Sequence, residues 1–281
     1  GVDVDIVLKH ADTAMYHAKE LGRSGFQFFS PELNWVAMAR LGIERELRDA
    51  LKLDRLVLHY LPRHAGDGRI TGVEALIRWN RPGHGLQLPD SFIPIAEESR
   101  LIVLIGEWVL AEVACMLRKW LDSGLSAPAV SINLSARQLR MTGLPEQIAE
   151  ALQSHGLPAN LLEFEVSESI VMENPERASR LLRELRNMGL RLAIDDFGTG
   201  FSSLPHLKRL PFDYLKIDRS LVAQIAHDRS DLALVRGTIA LAHNLGLKVV
   251  AEGVETDRQL TLLASAECEE YQGCHFSRPL P

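Results

Sequence analysis

Residues 161–168 read LLEFEVSE. In an extended strand side chains alternate between two faces, so Leu162, Phe164 and Val166 share one face and Glu163, Glu165 and Ser167 the other. The apolar face needs a covering layer, while the opposite face aims carboxylates at a shared space. The same parity recurs along the chain. In VSINLS (130–135), Val130, Ile132 and Leu134 oppose Ser131, Asn133 and Ser135. In YLKID (214–218), Leu215 and Ile217 oppose Tyr214, Lys216 and Asp218, and in VVAEG (249–253), Val249 and Ala251 oppose Val250 and Glu252.

Strand signals fall at 55–62, 70–79, 129–135, 161–168, 191–197, 212–218, 247–254 and 270–276. Amphipathic stretches long enough for helices separate most of them, including Leu101 to Leu121, Pro175 to Met188 and Ser230 to Leu245. Eight strands with intervening helices predict an α/β fold, a TIM-like (β/α)8 barrel. The first connection, about eight Gly-rich residues, is too short for a crossover helix, so the first strand is expected to run antiparallel to the second.

Strand after strand ends its second face in a polar residue: Glu74, Asn133, Glu165, Asp195, Lys216, Glu252 and Gln272. Barrel interiors are normally filled with branched apolar groups, and chemistry sits at the C-terminal strand ends. In RLAIDDFGTGFSS (191–203) two carboxylates, Asp195 and Asp196, stand side by side. At about 4 Å and an effective dielectric near 20, such charges repel by roughly 4 kcal/mol. Divalent cations between them would offset that, and carboxylates with an Asn carbonyl suit Mg²⁺ or Mn²⁺. Strict alternation turns Asp196 toward the helices; Gly198 and Gly200 are expected to bend the chain and bring it over the rim. The acidic pair Glu269-Glu270 is expected on a solvated face or at an element end.

Composition sets outer bounds. The 281 residues carry a net charge of −6 and are 46% hydrophobic, which argues against a DNA or RNA duplex binder and supplies ample core. No apolar run approaches the roughly 20 residues of a membrane span. Cys115, Cys268 and Cys274 form no CxxC pair, which favours a reducing, cytoplasmic setting. Residues 1–30 stand apart. Leu8, Ala11, Met15, Ala18 and Leu21 recur at helical spacing, Gly22 is placed to end that helix, and FQFF (26–29) reads as a strand. One helix and one strand bury too little to fold alone, so 1–30 is read as the end of a preceding domain, 31–51 as a helical connector and 52–281 as the barrel.

The motifs GVEALIRWNRP, SINLS, FEVSESIVM, AIDDFGTGFSSL, LKIDRS, VVAEGVET and YQGCHFSRPLP, in this order over roughly residues 40–281, resemble those of EAL-domain cyclic-di-GMP phosphodiesterases. ADTAMYHAKELGRSGFQFF (11–29) is similar to the end of a GGDEF, or diguanylate cyclase, domain, without its signature loop. The resemblance implies metal-dependent hydrolysis of cyclic-di-GMP to linear pGpG. By resemblance, Glu74, Asn133, Glu165 and Asp195 hold one Mg²⁺ or Mn²⁺, and Asp195 with Asp196 helps hold a second. Lys216 matches a residue that orients the nucleophilic water, Glu252 the general base, and Glu168 a group that steadies the loop after the Asp pair. Arg78 matches a phosphate contact; Leu76, Asp218, Glu255, Gln272 and Pro279 lie in motifs lining the substrate region. A homodimer through the barrel, and upstream GGDEF and sensory domains in a parent that is membrane-anchored or free, are also implied.

One departure is plain: Tyr60-Leu61-Pro62 replaces the family's Tyr-Gln-Pro, which predicts weaker ligand binding with the metal ligands untouched. The rival reading is a cyclic-di-GMP receptor without catalysis. Degenerate members lose the EAL glutamate, the Asp pair or the lysine, and all are present here. A kinase reading of the DFG at 196–198 lacks a Gly-rich phosphate loop and an HRD motif.

Overall fold

The computed structural model describes residues 30–199 and 204–281, with isolated positions 4, 11, 15 and 28. The expected helix and strand of residues 1–30 otherwise lie outside the described residues, as does Gly200.

Helix α1 (Pro31–Lys52) leads into β1 (Leu56–Ala65) and β2 (Ile70–Arg81), and a short β3 (Gly85–Gln87) folds back on β2. There follow α2 (Ile93–Glu98), α3 (Leu101–Asp122), β4 (Ala129–Asn133), α4 (Ala136–Leu139), α5 (Leu144–His155) and β5 (Leu162–Ser167). The second half runs α6 (Glu168–Glu173), α7 (Pro175–Asn187), β6 (Arg191–Phe197), α8 (Leu204–Leu207), β7 (Tyr214–Ile217) and α9 (Arg219–Ala223). It closes with α10 (Arg229–Asn244), β8 (Lys248–Ala251), α11 (Asp257–Ser265) and β9 (Glu270–Tyr271).

The strands close into a ring. The order β1-β9-β8-β7-β6-β5-β4-β2 returns to β1 through a β1–β2 pairing, and β3 hangs outside on β2. β1 is antiparallel to both of its neighbours, whereas β2 through β9 run parallel around the rest of the ring. The short first connection therefore does what its length requires.

Apolar strand faces and helix faces make one continuous core between the layers, with Ile132, Phe164, Ile194, Leu215 and Val249 all buried in it. Ala193, Tyr214 and Val250 form a separate cluster; their parity places them inside the ring. Strands β8 and β9 are shorter than the sequence suggests. At Gly273 the backbone takes φ +153°, and any Cβ would meet the Val254 carbonyl oxygen at 2.3 Å, so the chain leaves the sheet there. α1 is more than a tether: Leu47 and Ala50 are fully buried, and Arg81 clasps Glu46 at 2.7 and 3.2 Å. No helix among the described residues is long and apolar enough to cross a membrane.

Candidate active site

Strand register stacks the inward-facing residues in layers. Ser167 pairs with Asp195, and Asn133 with Glu165, so the upper strand ends deliver their polar groups to one level. At its centre sits Lys216 on β7, with no exposed surface. Its Nζ lies 2.6 Å from Glu165 and from Glu252, and 3.5 Å from Glu74 and from Asp195. Glu74 is held on its other sides: Asn133 donates to Oε1 at 2.9 Å and Gln272 to Oε2 at 2.7 Å. Seven of the expected site residues are thus joined by direct contacts across five strands and the loops that leave β8 and β9.

The charges follow from these contacts. Burial alone would strip the proton from Lys216, but Asp195, Glu165, Glu252 and Glu74 hold its pKa well above the lysine range. Burial raises Glu165 well above the carboxylate range, and the Glu74 charge adds to it. Glu252 is pushed up to about 8, first by burial and then, against the pull of Lys216, by Asp195 and Glu74. Glu74 itself is lowered: burial opposes ionisation, but Lys216 and the two amides overcome it.

Asp196 is turned toward the rim from within the strand itself, ahead of the bend at Gly198. Its own backbone is left-handed, φ +54°, and the β6–β7 register slips between Ile194 and Phe197. The bulge turns two consecutive side chains toward the mouth; Gly198, at φ +98°, follows from it. The Asp196 amide donates to Asp195 Oδ1 at 2.9 Å, and burial with the Asp195 and Asp218 charges raises the Asp196 carboxyl. Glu168, almost fully buried, accepts the Gly198 amide at 3.1 Å, tying α6 to the chain that leaves β6.

The remaining candidates surround this cluster. Arg78 is buried on β2, donates to the Ile77 carbonyl at 2.8 Å and feels the Glu74 charge. Asp218 is taken up in capping α9, accepting the Ser220 amide at 2.9 Å. Leu76 is half-buried on β2, Pro279 precedes the Leu280 bridge to Tyr60, and Glu255 is exposed. Among the described residues no hydrogen bond or ion pair joins these three side chains to the cluster. Leu61 stands opposite Glu74 in the β1–β2 register, beside the site.

A second buried cluster, which the sequence reading did not single out, lies one layer below. Arg63 reaches across the ring from β1 to Glu163 on β5, at 2.7 and 3.1 Å, and its Nε lies 2.7 Å from Glu270 on β9. Ser131 and Thr71 complete the carboxylates at 3.1 and 3.0 Å, and the guanidinium covers the Tyr214 ring at 4.7 Å. Gly72 makes room, since a Cβ there would meet Arg63 Nη2 at 2.7 Å. Glu270 therefore opens β9 but is buried rather than solvated. The signal was parity: Glu163 and Glu270 stand two residues before Glu165 and Gln272.

Among the described residues no three His, Cys, Asp or Glu groups converge closely enough to hold an ion as they stand; the carboxylates converge on the Lys216 ammonium instead. Their chemistry nonetheless fits divalent cations. The donors are hard oxygens, acidic groups outnumber Lys216 and Arg78, and Glu165 Oε1 is buried without a partner. A buried carboxylate oxygen left without a partner calls for one that the neighbouring side chains do not supply.

An eight-stranded β/α barrel with an antiparallel first strand and a carboxylate-lined mouth defines the class. The chain belongs to the EAL domain family, whose model matches residues 44–279. The bifunctional diguanylate cyclase/cyclic di-GMP phosphodiesterase MucR of Pseudomonas aeruginosa is 46% identical over 273 residues, 97% of this chain and 40% of MucR. The cyclic di-GMP phosphodiesterase NbdA of the same organism is 44% identical over 282 residues, 100% of this chain and 36% of NbdA. The solved structure of the PaMucR phosphodiesterase in complex with c-di-GMP matches with TM-score 0.83 at 46% identity, covering 85% of this chain and 98% of that one. The EAL domain of Mycobacterium smegmatis DcpA matches with TM-score 0.69 at 39% identity, covering 80% and 93%. The chain spans two fifths or less of the length of MucR and NbdA.

Proposed function

We propose that this chain hydrolyses cyclic-di-GMP to linear pGpG, water adding across one P–O3′ bond so that its oxygen joins phosphorus and a proton reaches the departing 3′ oxygen. The observation that carries this reading is the convergence on Lys216 of four carboxylates from separate strands. The activity named for MucR and NbdA supports it. Glu74, Asn133, Glu165 and Asp195 would hold one Mg²⁺ or Mn²⁺, and Asp195 with Asp196 a second. When bound, such ions supply an activated water and neutralise developing charge.

The chain's own groups do the rest. Lys216 presents protons at Nζ to orient the attacking water. Glu252, 2.6 Å from Lys216 Nζ, takes up a proton as general base. Arg78 forks onto a phosphate oxygen, and Leu76, Asp218, Glu255, Gln272 and Pro279 bound the substrate region. Glu168 holds the chain beyond the Asp pair through the Gly198 amide. Residues 1–30 belong, on this reading, to a preceding GGDEF-like domain of a longer signalling protein in the cytoplasm, and the barrel forms a homodimer, which light scattering would test.

The deciding experiment incubates the purified chain with cyclic-di-GMP and Mg²⁺ or Mn²⁺, with a chelator control, and identifies the products. Metal-dependent pGpG is expected. Binding without cleavage would instead assign the chain to receptors. Glu74→Ala and Asp195→Asn are expected to cut turnover at least about 100-fold, because even outer-shell partners of a metal cost 10–100-fold, with circular dichroism unchanged.

A further inference from the structure

The outer flank of the barrel carries a polar site of its own, built on the α7 sequence PERASRLLRELRN. Arginines recur at 177, 180, 183 and 186, a three-residue spacing that puts each next to the one before it on the helix surface, so that Arg180 and Arg183 share a face. The two ends of this stripe are committed. Arg177 donates to the Arg140 carbonyl; Arg186 donates to the Pro211 carbonyl at 2.9 Å and pairs with Asp213 at 2.7 Å. The two between are not. Arg180 makes no hydrogen bond or ion pair among the described residues, and Arg183 reaches the Arg209 carbonyl at 3.4 Å.

Arg180 and Arg183 line a cavity of about 270 Å³ together with His206, Arg209, Ser179 and Glu176. His206 and Arg209 have no side-chain partner among the described residues. Three guanidiniums therefore face one carboxylate in a chain whose net charge is −6. Ser179, nine-tenths buried, also lines the cavity, and its hydroxyl is closed off without a hydrogen-bond partner. A buried hydroxyl without a partner is disfavoured unless something else completes it.

We propose that this cavity binds a small phosphate-class oxyanion, a phosphomonoester or pyrophosphate group, gripped by Arg180, Arg183 and Arg209. Guanidinium forks match phosphate oxygens in pairs, which suits an arginine site to this ligand. Pockets for drug-sized ligands run from about 300 Å³ upward, so the volume suits a phosphate group rather than a cyclic dinucleotide. The site shares no residue with the barrel mouth, and the proposal stands whatever reaction the mouth performs.

The test is calorimetry of sodium pyrophosphate into the intact chain, stripped of metal and dialysed, in about 0.15 M chloride, where exposed charges are screened beyond roughly 8 Å. Saturable binding at one site is expected. The Arg180→Gln/Arg209→Gln double variant weakens it at least about tenfold, the loss of charge-assisted contacts; turnover at the barrel mouth is unchanged. Absence of saturable binding overturns the proposal, as does binding that the arginine substitutions leave intact. Flotation with phosphatidic-acid vesicles without pyrophosphate binding overturns it too, assigning the patch to a lipid surface.

Discussion

Lys216 keeps its proton while fully buried because four carboxylates surround it, and those carboxylates tolerate one another because it is there. Removing one side of a buried ionic cluster costs about 3–5 kcal/mol, since the partners are left uncompensated. Lys216→Ala is therefore expected to lose turnover and also to melt well below the parent when metal-free. Mg²⁺ should raise the melting temperature of the variant more than that of the parent, because the ions replace the missing cation. Calorimetry with and without Mg²⁺ checks this, and equal shifts would refute it. Asp196 shows the same economy at one position, its left-handed backbone delivering a second carboxylate where alternation alone delivers one.

Among elements, β6 and the chain beyond it are tied to α6 by the hydrogen bond that Glu168 accepts from the Gly198 amide. Glu168→Ala should speed hydrogen exchange at that amide and lower turnover. Glu168→Gln, which keeps an accepting oxygen, should recover part of both. β1, the antiparallel stave, depends instead on Arg63, which spans the ring to Glu163 and Glu270. Arg63→Met leaves two buried carboxylates without their cation. A loss of about 3–5 kcal/mol follows, equivalent to a fall of about 10 °C in melting temperature for a domain of this size. Thermal unfolding of the variant measures it.

For the molecule as a whole, the buried Leu47 and Ala50 and the Glu46–Arg81 clasp place the last turns of α1 with the barrel. Removing residues 1–30 should leave the melting temperature nearly unchanged. Removal through residue 53 should lower it sharply, because loss of one buried leucine side chain alone costs about 2–5 kcal/mol. A barrel indifferent to both truncations would contradict this packing.

Strand parity and the length of the first connection determined the ring of staves, the direction of β1 and the rim that carries Glu74, Asn133, Glu165, Asp195, Lys216, Glu252 and Gln272, because alternation and connection length are local properties. The motifs determined the family. Only the tertiary structure decided that Lys216 is the hub of the rim, that the β6–β7 register slips at Asp196, and that Glu163 and Glu270 are a buried pair for Arg63. Those depend on which strands face one another across the ring and on the slip in register between β6 and β7, and a single strand's alternation holds no information about either.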